Sequence, residues 1–174
     1  MFHIYSVQSF RGNHNFFDQF FVIFSQLKNE IRMAVKLIDY GTKDYKQMIS
    51  LRYQLLRKPL GLSFTDAELE EEQHDILIGC FDDDKLEGCC LLKKTSSDML
   101  RLRQMAVVSG LQGKGIGKIL LQFAENIARD RGYKKIIMHA RKTAIGFYEK
   151  LGYKITGPEF LEVTIPHYEM EKSL

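Results

Sequence analysis

The most regular pattern in the chain is a stretch in which apolar residues recur at every third or fourth position. These residues are Ile116, Ile119, Leu120, Phe123, Ala124, Ile127 and Ala128. Such spacing predicts an amphipathic helix with one apolar face, and Gly132 is placed to end it. The mainly apolar residues 102–108, shortly before the helix, predict a strand.

A second pattern predicts an antiparallel meander. Residues 76–81 and 86–94 are strand-like, and the polar turn Asp82-Asp83-Asp84-Lys85 between them predicts a hairpin. The aspartates indicate a turn rather than calcium binding, because the glycine and the terminal glutamate of a calcium loop are missing. A third strand is predicted at residues 99–108. Alternation is expected to place Leu100, Leu102, Gln104 and Ala106 on one side, and Arg101, Arg103, Met105 and Val107 on the other.

The other predicted elements complete an α/β chain. They are a strand at 34–39, a helix from Thr42 to about Arg57, a short acidic helix at 66–73, a strand at 134–140, a helix at 143–151 and strand-like pieces at 153–156 and 166–170. Their order predicts one α/β domain around a single mixed sheet. The run Glu70-Glu71-Glu72 is interpreted as a solvated face, with attraction of a cationic amine as the alternative.

Residues 1–32 differ from the rest because they contain seven phenylalanines. Their longest apolar run, residues 20–24, has five residues, whereas a membrane span needs about 20. One interpretation is an amphipathic helix at about 15–30 that docks on the domain or on a partner. The other is that Met33 is the true start and the preceding residues are an over-extended reading frame. We expect the domain to comprise residues 33–174.

Composition excludes some classes of function. With 25 Lys and Arg against 22 Asp and Glu, the net charge is +3, too balanced to indicate nucleic-acid binding. The cysteines, Cys80, Cys89 and Cys90, lack the paired spacing of a zinc site, so no metal is expected. Reduced thiols in a cytoplasmic protein are the interpretation that fits them.

A glycine-rich loop at the start of the long helix carries the strongest chemical signal. Its residues are Gln112, Gly113, Lys114, Gly115, Ile116, Gly117 and Lys118. The first turn of a helix has unpaired N–H groups and a positive dipole end, which suit phosphate oxygens. The P-loop pattern fails because Ile119 follows Lys118, and the dinucleotide fingerprint fails because Lys118 stands where its third glycine should be. A purely structural turn remains the alternative.

Three motifs together indicate a family. The segment Met105-Ala106-Val107, the glycine loop and the stretch from Ala144 to Tyr153, AIGFYEKLGY, resemble in order and separation the GCN5-related N-acetyltransferases. The resemblance covers about residues 34–172. It implies a single domain with a mixed, mostly antiparallel central sheet, splayed middle strands and flanking helices. It also implies acetyl-CoA as co-substrate and transfer of its acetyl group to a primary amine.

The resemblance assigns roles by position. The backbone of Met105, Ala106 and Val107 would hold the pantetheine arm and polarise the thioester, and residues 112–118 would hold the pyrophosphate. Tyr148 would protonate the departing thiolate, with a core aromatic as the alternative. Arg141 replaces an asparagine common in the family, and would meet a CoA phosphate or an acidic group of the acceptor. His139 is the candidate base, with a structural histidine as the alternative.

The acceptor amine cannot be identified from these motifs. A small amine, an amino sugar and a peptide N-terminus remain open, and exposed edge strands would allow a homodimer. Two other classes compete with the enzyme. One is a non-catalytic acyl-CoA-binding sensor, and the other is an interaction module, for which residues 1–32 are the positive feature.

Overall fold

Residues 33–174 are the part of the chain that the computed structural model describes, and both interpretations of residues 1–32 lie outside it. The described elements are β1 (Met33–Ile38), α1 (Lys43–Arg52), α2 (Asp66–Glu71), β2 (Ile76–Asp82), β3 (Lys85–Lys94), β4 (Met99–Val107), α3 (Ile116–Asp130), β5 (Lys135–Arg141), α4 (Ile145–Glu149), β6 (Lys154–Ile155), β7 (Phe160–Glu162) and β8 (Ile165–Ser173). The predicted hairpin and long helix are confirmed.

All eight strands of this part belong to one sheet. Its order is β1-β2-β3-β4-β5-β8-β6, and β7 pairs with β8 outside that path. Only the central pair β4 and β5 is parallel, and the other pairs are antiparallel. The predicted mixed, mostly antiparallel sheet is therefore confirmed.

Each face of the sheet has its own hydrophobic core. Leu120, Ala124 and Ile127 of α3 pack against one face, with Leu100 and Leu102 of β4. On the opposite face a second core is built from α1, β2 and β3; its members include Tyr45, Met48, Leu77, Cys89 and Leu91. The three cysteines are buried free thiols, as the sequence predicts.

Local hydrogen bonding explains where the first helix, α1, begins. Thr42 accepts a hydrogen bond from the backbone N–H of Tyr45 at 3.3 Å, which makes it the predicted N-cap. After Arg52 the helix widens into one π-helical turn, Tyr53–Arg57. The helical segment therefore ends where the sequence predicts, although its last turn is not α-helical.

The predicted alternation of β4 is wrong beyond Arg103. Cys89 pairs with Ala106 and Leu91 pairs with Arg103, so two residues of β4 face one residue of β3. This β-bulge inserts an extra residue and reverses the sides of those that follow. Ala106 consequently packs on the α1 side, whereas the side chains of Met105 and Val107 pack on the α3 side.

Two further expectations need correction. The three-residue strand β7 is missed by the sequence analysis, because its exposed residues Leu161 and Glu162 give no buried pattern. The acidic run is not a uniformly solvated face, since Glu72 is buried. Among residues 33–174, no helix combines the length and apolar character that a membrane crossing requires.

Candidate active site

A cleft opens where the two central strands separate. The β4–β5 ladder pairs four residues and ends at Leu102 and Met138, although β4 continues to Val107 and β5 to Arg141. This is the predicted splay of the middle strands. The resulting cavity has a volume of about 1590 Å³. Typical small-ligand sites measure about 300–1,000 Å³, so this cleft has room for two reactants.

The bulged segment of β4 supplies one wall of the cleft. Gln104 has a φ of 48°, in the left-handed region that a non-glycine residue adopts at a cost. Beyond it the backbone groups alternate in direction. Val108 N–H donates to the carbonyl of Glu87 on the β3 side, and the Val107 carbonyl accepts from Gln112 Nε2 at 3.3 Å. The edge of β4 next to the cleft thus lacks a partner strand past Leu102.

The glycine loop lies at one end of this cleft. Gly113 and Gly115 have φ values of 80° and 90°, and Gly115 is the N-cap of α3. Both conformations favour glycine. A Cβ at Gly117 would lie 3.2 Å from Met105 Cε and 3.2 Å from Phe147 Cζ. Glycine at that position therefore lets the start of α3 approach β4 and α4 closely.

Charge and backbone donors coincide at this helix start. The first N–H groups of α3 have no carbonyl partner within the helix, and the helix dipole makes this end positive. Lys114 and Lys118 are exposed beside it. Gly113, Gly115, Gly117 and Lys118 line the cleft. The predicted phosphate-binding loop therefore opens into the same cavity as β4.

Tyr148 lies in the cleft wall on the α3 side of the sheet. Its ring packs edge-on against Phe147 and Tyr153, with ring centroids 5.0 and 5.9 Å away. The hydroxyl donates to Met105 Sδ at 3.5 Å, and a thioether is only a weak acceptor. Burial raises the pKa of the Tyr148 phenol above its ordinary value. The phenol is therefore a protonated donor with no strong acceptor among the described residues.

His139 lies on the opposite face of the sheet from Tyr148. Ile136, Met138 and Ala140 of β5 face α3, so His139 between them faces the α1 side. Its Nδ1 is 2.7 Å from Glu162 Oε2, and its Nε2 is 4.0 Å from Glu169 Oε2. If Nδ1 carries the proton and donates to Glu162, the lone pair of Nε2 is available to accept another.

Arg141 follows His139 by two residues and shares its strand face. It lines the cleft at the end of β5, opposite His167 of β8. Ile116 is buried under the start of α3 and is not exposed to the cavity. Its side chain therefore packs, and only its backbone N–H is available to a ligand.

One buried polar cluster next to the site is not predicted from the sequence. Arg52 forms two hydrogen bonds with Glu72, at 2.7 and 2.8 Å. The same guanidinium donates to Gln104 Oε1 at 3.0 Å, and Tyr45 donates to Glu72 at 2.8 Å. The cluster joins α1 and the end of α2 to the bulge of β4. Three consecutive glutamates gave no signal that the last of them is buried.

The part of the chain with a described structure contains no cluster of metal-binding side chains. No three histidine, cysteine or acidic side chains come together there in a way that would hold an ion.

Comparison with known proteins identifies the family. The model of the acetyltransferase (GNAT) domain matches residues 61–174. The chain belongs to the GNAT family of acetyltransferases. YyaT, an uncharacterised protein of Bacillus subtilis, is 35% identical over 74 residues, which is 42% of this chain and 50% of YyaT. The chain spans about half the length of several curated relatives that it matches.

Solved structures show the same fold. A protein from Lactobacillus plantarum assigned as an N-acetyltransferase superposes with a TM-score of 0.73 at 23% identity, over 82% of this chain and 98% of that one. An aminoglycoside 6′-N-acetyltransferase, solved with coenzyme A, gives a TM-score of 0.67 at 20% identity, over 80% and 96% of the two chains. The splayed sheet of this chain is thus a GNAT sheet.

Proposed function

We propose that the chain transfers the acetyl group of acetyl-CoA to a primary amine by direct attack. One observation carries the proposal: the glycine-capped start of α3, the open edge of β4 and Tyr148 all line one cleft. Membership of the GNAT family, and coenzyme A in the related aminoglycoside acetyltransferase, support acetyl-CoA as the co-substrate. Much of the rate would come from holding both reactants in that cleft.

The co-substrate binds along the α3 side of the cleft in this proposal. Backbone N–H groups of residues 113–118 receive the pyrophosphate, and Lys114 and Lys118 add positive charge. The edge of β4 next to the cleft, at Met105 and Val107, hydrogen-bonds the pantetheine arm, whereas Ala106 between them is paired with Cys89 of β3. One of those N–H groups polarises the thioester carbonyl, since a fixed donor stabilises the charge that develops on the oxygen.

Tyr148 is the proposed general acid. Its raised pKa keeps the phenol protonated through the physiological range. Its weak hydrogen bond to Met105 leaves the proton available to the departing sulfur. Proton transfer from a positioned side chain typically contributes about 10²–10⁴ to a rate.

His139 is the proposed general base, held by Glu162 through Nδ1. A base within hydrogen-bond reach of the amine, directly or through one water, takes the proton released on attack. The amine nitrogen forms a bond to the thioester carbon as the carbon–sulfur bond breaks. Tyr148 gives its proton to the thiolate, and His139 takes one from the amine. Because the two residues lie on opposite faces, the acceptor and the co-substrate enter the cleft from opposite sides.

The substitution Tyr148→Phe tests this proposal most directly. We expect kcat for thiol release from acetyl-CoA, assayed across a panel of primary amines, to fall roughly a hundredfold. The Kd of acetyl-CoA should stay within about threefold. Tyr153→Phe is the matched control, because Tyr153 is a buried neighbour in ring contact with Tyr148 but outside the cleft lining.

Two results would contradict the assignment. If Tyr148→Phe retains the kcat of the wild type, the phenol only packs. If the wild type binds acetyl-CoA but releases thiol with none of the amines, the chain is a sensor rather than an enzyme.

A further inference from the structure

We infer that the acceptor is a primary amine that also carries an anionic group, a carboxylate or a phosphate, bound by Arg101 and Arg103. The inference rests on the proposed function and names the class of its second substrate. It comes from the charge on the face of the cleft opposite α3.

The position of these arginines follows from the pairing of β4. Leu100 and Leu102 face α3, so Arg101 and Arg103 face the other side, which is also the side of His139. The β4–β5 ladder ends at Leu102 and Met138. Arg103 and His139 are therefore the first residues past the split on the two strands, and both line the cleft.

The wall of the cleft that β3 and β4 form carries positive charges close to one another. Lys93 stands directly opposite Arg101 in the register of these strands, and like charges in that position destabilise a sheet. Arg101 Nε is buried and has no hydrogen-bond acceptor. A guanidinium whose N–H lacks an acceptor is stabilised when a ligand supplies an anion to pair with it.

Nearby acids neutralise this wall only in part. Glu71 pairs with Lys93 at 2.7 Å, and Asp75 lies near Lys93 and Arg103. Considering residues 33–174 only, no carboxylate lies within ion-pair distance of Arg101 or Arg103. Arg141 adds a further cation to the same face, which favours an acidic group on the acceptor over a CoA phosphate as its contact.

The opposite wall, on the β5 side, carries carboxylates next to His139 as well as Arg141. Glu162 and Glu169 lie 2.7 and 4.0 Å from the ring nitrogens of His139. An ammonium group is attracted to that side. It releases one proton to water to become a reactive amine, and His139 takes the proton that is freed on attack. The surroundings of His139 thus suit a cation, whereas Arg101 and Arg103 suit an anion. A molecule with both groups, such as an amino acid or a phosphorylated amine, satisfies both walls.

Matched substrates test the inference on the wild-type protein. Each of a set of α-, β- and ω-amino acids is compared with its own carboxamide, and phosphoethanolamine with ethanolamine, in the thiol-release assay. We expect kcat/KM to be at least tenfold higher for the anionic member of the best pair, because a charge-assisted hydrogen bond is lost in the neutral one. The amino acid and phosphate arms distinguish the two anions.

Arginine variants then locate the effect. In Arg101→Gln and Arg103→Gln we expect the KM of the anionic amine to rise roughly ten- to a hundredfold, and its preference over the neutral partner to collapse. The KM of acetyl-CoA should stay within about threefold. Arg131→Gln, an exposed site past the end of α3, is the control. Since Arg101→Gln removes a like charge opposite Lys93, its melting temperature should not fall.

Failure of the inference is distinct from failure of the proposed function. Neutral amines that react as well as their anionic partners, or arginine variants that keep the preference, would overturn the inference while acetyl transfer stands. A wild type that neither binds acetyl-CoA nor releases thiol with any amine would overturn both. If a variant does not fold, the wild-type substrate pairs decide alone.

Discussion

At the scale of single residues, the site combines groups fixed by packing with groups fixed by hydrogen bonds. Tyr148 is held by aromatic neighbours and a thioether, so its hydroxyl stays available. His139 is held by Glu162 through Nδ1, which leaves Nε2 for its proposed role as a base. These two ways of positioning suit the proposed roles of Tyr148 as the acid and His139 as the base.

Asp75 allows a test of the electrostatics around Lys93 and Arg103. Burial raises the pKa of Asp75 from 3.8 to about 6. The folded state therefore binds more protons than the unfolded state between those values, and the free energy of unfolding falls as pH rises through that window. Two pKa units correspond to at most about 3 kcal/mol, and partial exposure of the side chain reduces this to about 1 kcal/mol.

We therefore expect Asp75→Asn to be more stable than the wild type by about 1 kcal/mol at pH 7, a rise of roughly 3 °C in melting temperature. The difference should disappear below pH 4, where both side chains are neutral. Thermal unfolding at pH 3.5, 5 and 7 measures it. A variant that is less stable at pH 7, or equally displaced at every pH, would contradict the assigned burial effect.

At this scale, the sequence predicts the site correctly where a motif requires one particular residue type. Gly113 and Gly115 adopt the left-handed backbone that a glycine-rich helix cap needs. The prediction failed for Glu72, because neighbouring glutamates have the same chemistry and only the position of Arg52 distinguishes the buried one. The charge of Arg101 and Arg103 was visible, but the cleft that they line exists only in the folded sheet.

At the scale of elements, the Arg52–Glu72 pair joins two helical segments to the bulge. Both side chains are buried, and Arg52 also donates to Gln104, whose left-handed backbone forms the bulge. The bulge turns Met105 and Val107 toward α3, the side proposed for the co-substrate. The pair therefore connects α1 and the end of α2 to the strand that is proposed to hold the thioester.

Breaking that pair should be costly. In Arg52→Met the Glu72 carboxylate stays buried without its cation, and we expect a loss of about 3–5 kcal/mol in the free energy of unfolding. Replacing both partners, Arg52→Met with Glu72→Leu, should recover much of this, because no unpaired charge remains. Urea unfolding of the two single variants and the double variant measures the coupling. Single variants that each cost under about 1 kcal/mol would show that the pair does not hold the elements together.

Element prediction worked where periodicity continues without interruption. The hairpin of β2 and β3 and the helix α3 follow from their own patterns. The sequence predicts the wrong side of the sheet for the β4 residues beyond Arg103. One inserted residue reverses the two-residue period, and nothing in the sequence marks the insertion. The short strand β7 exists because β8 provides a partner, not because of its own residues.

At the scale of the whole molecule, one split in the sheet organises the chemistry. The motif resemblance predicted the splayed sheet, and the pairing of β4 and β5 confirms it. The roles of residues 1–32, the cytoplasmic location and a homodimer stay predictions. The central claim is that acetyl-CoA binds with its pyrophosphate at the start of α3.

Calorimetric titration of acetyl-CoA into the wild type, Lys118→Glu and Lys46→Glu tests that claim most directly. Both variants reverse one exposed lysine, but Lys46 lies on α1, outside the cleft. We predict equal affinity for the wild type and Lys46→Glu, and binding weaker by roughly ten- to a hundredfold for Lys118→Glu, because a negative charge then faces the phosphates. No binding by the folded wild type, or equal weakening in both variants, would contradict the account.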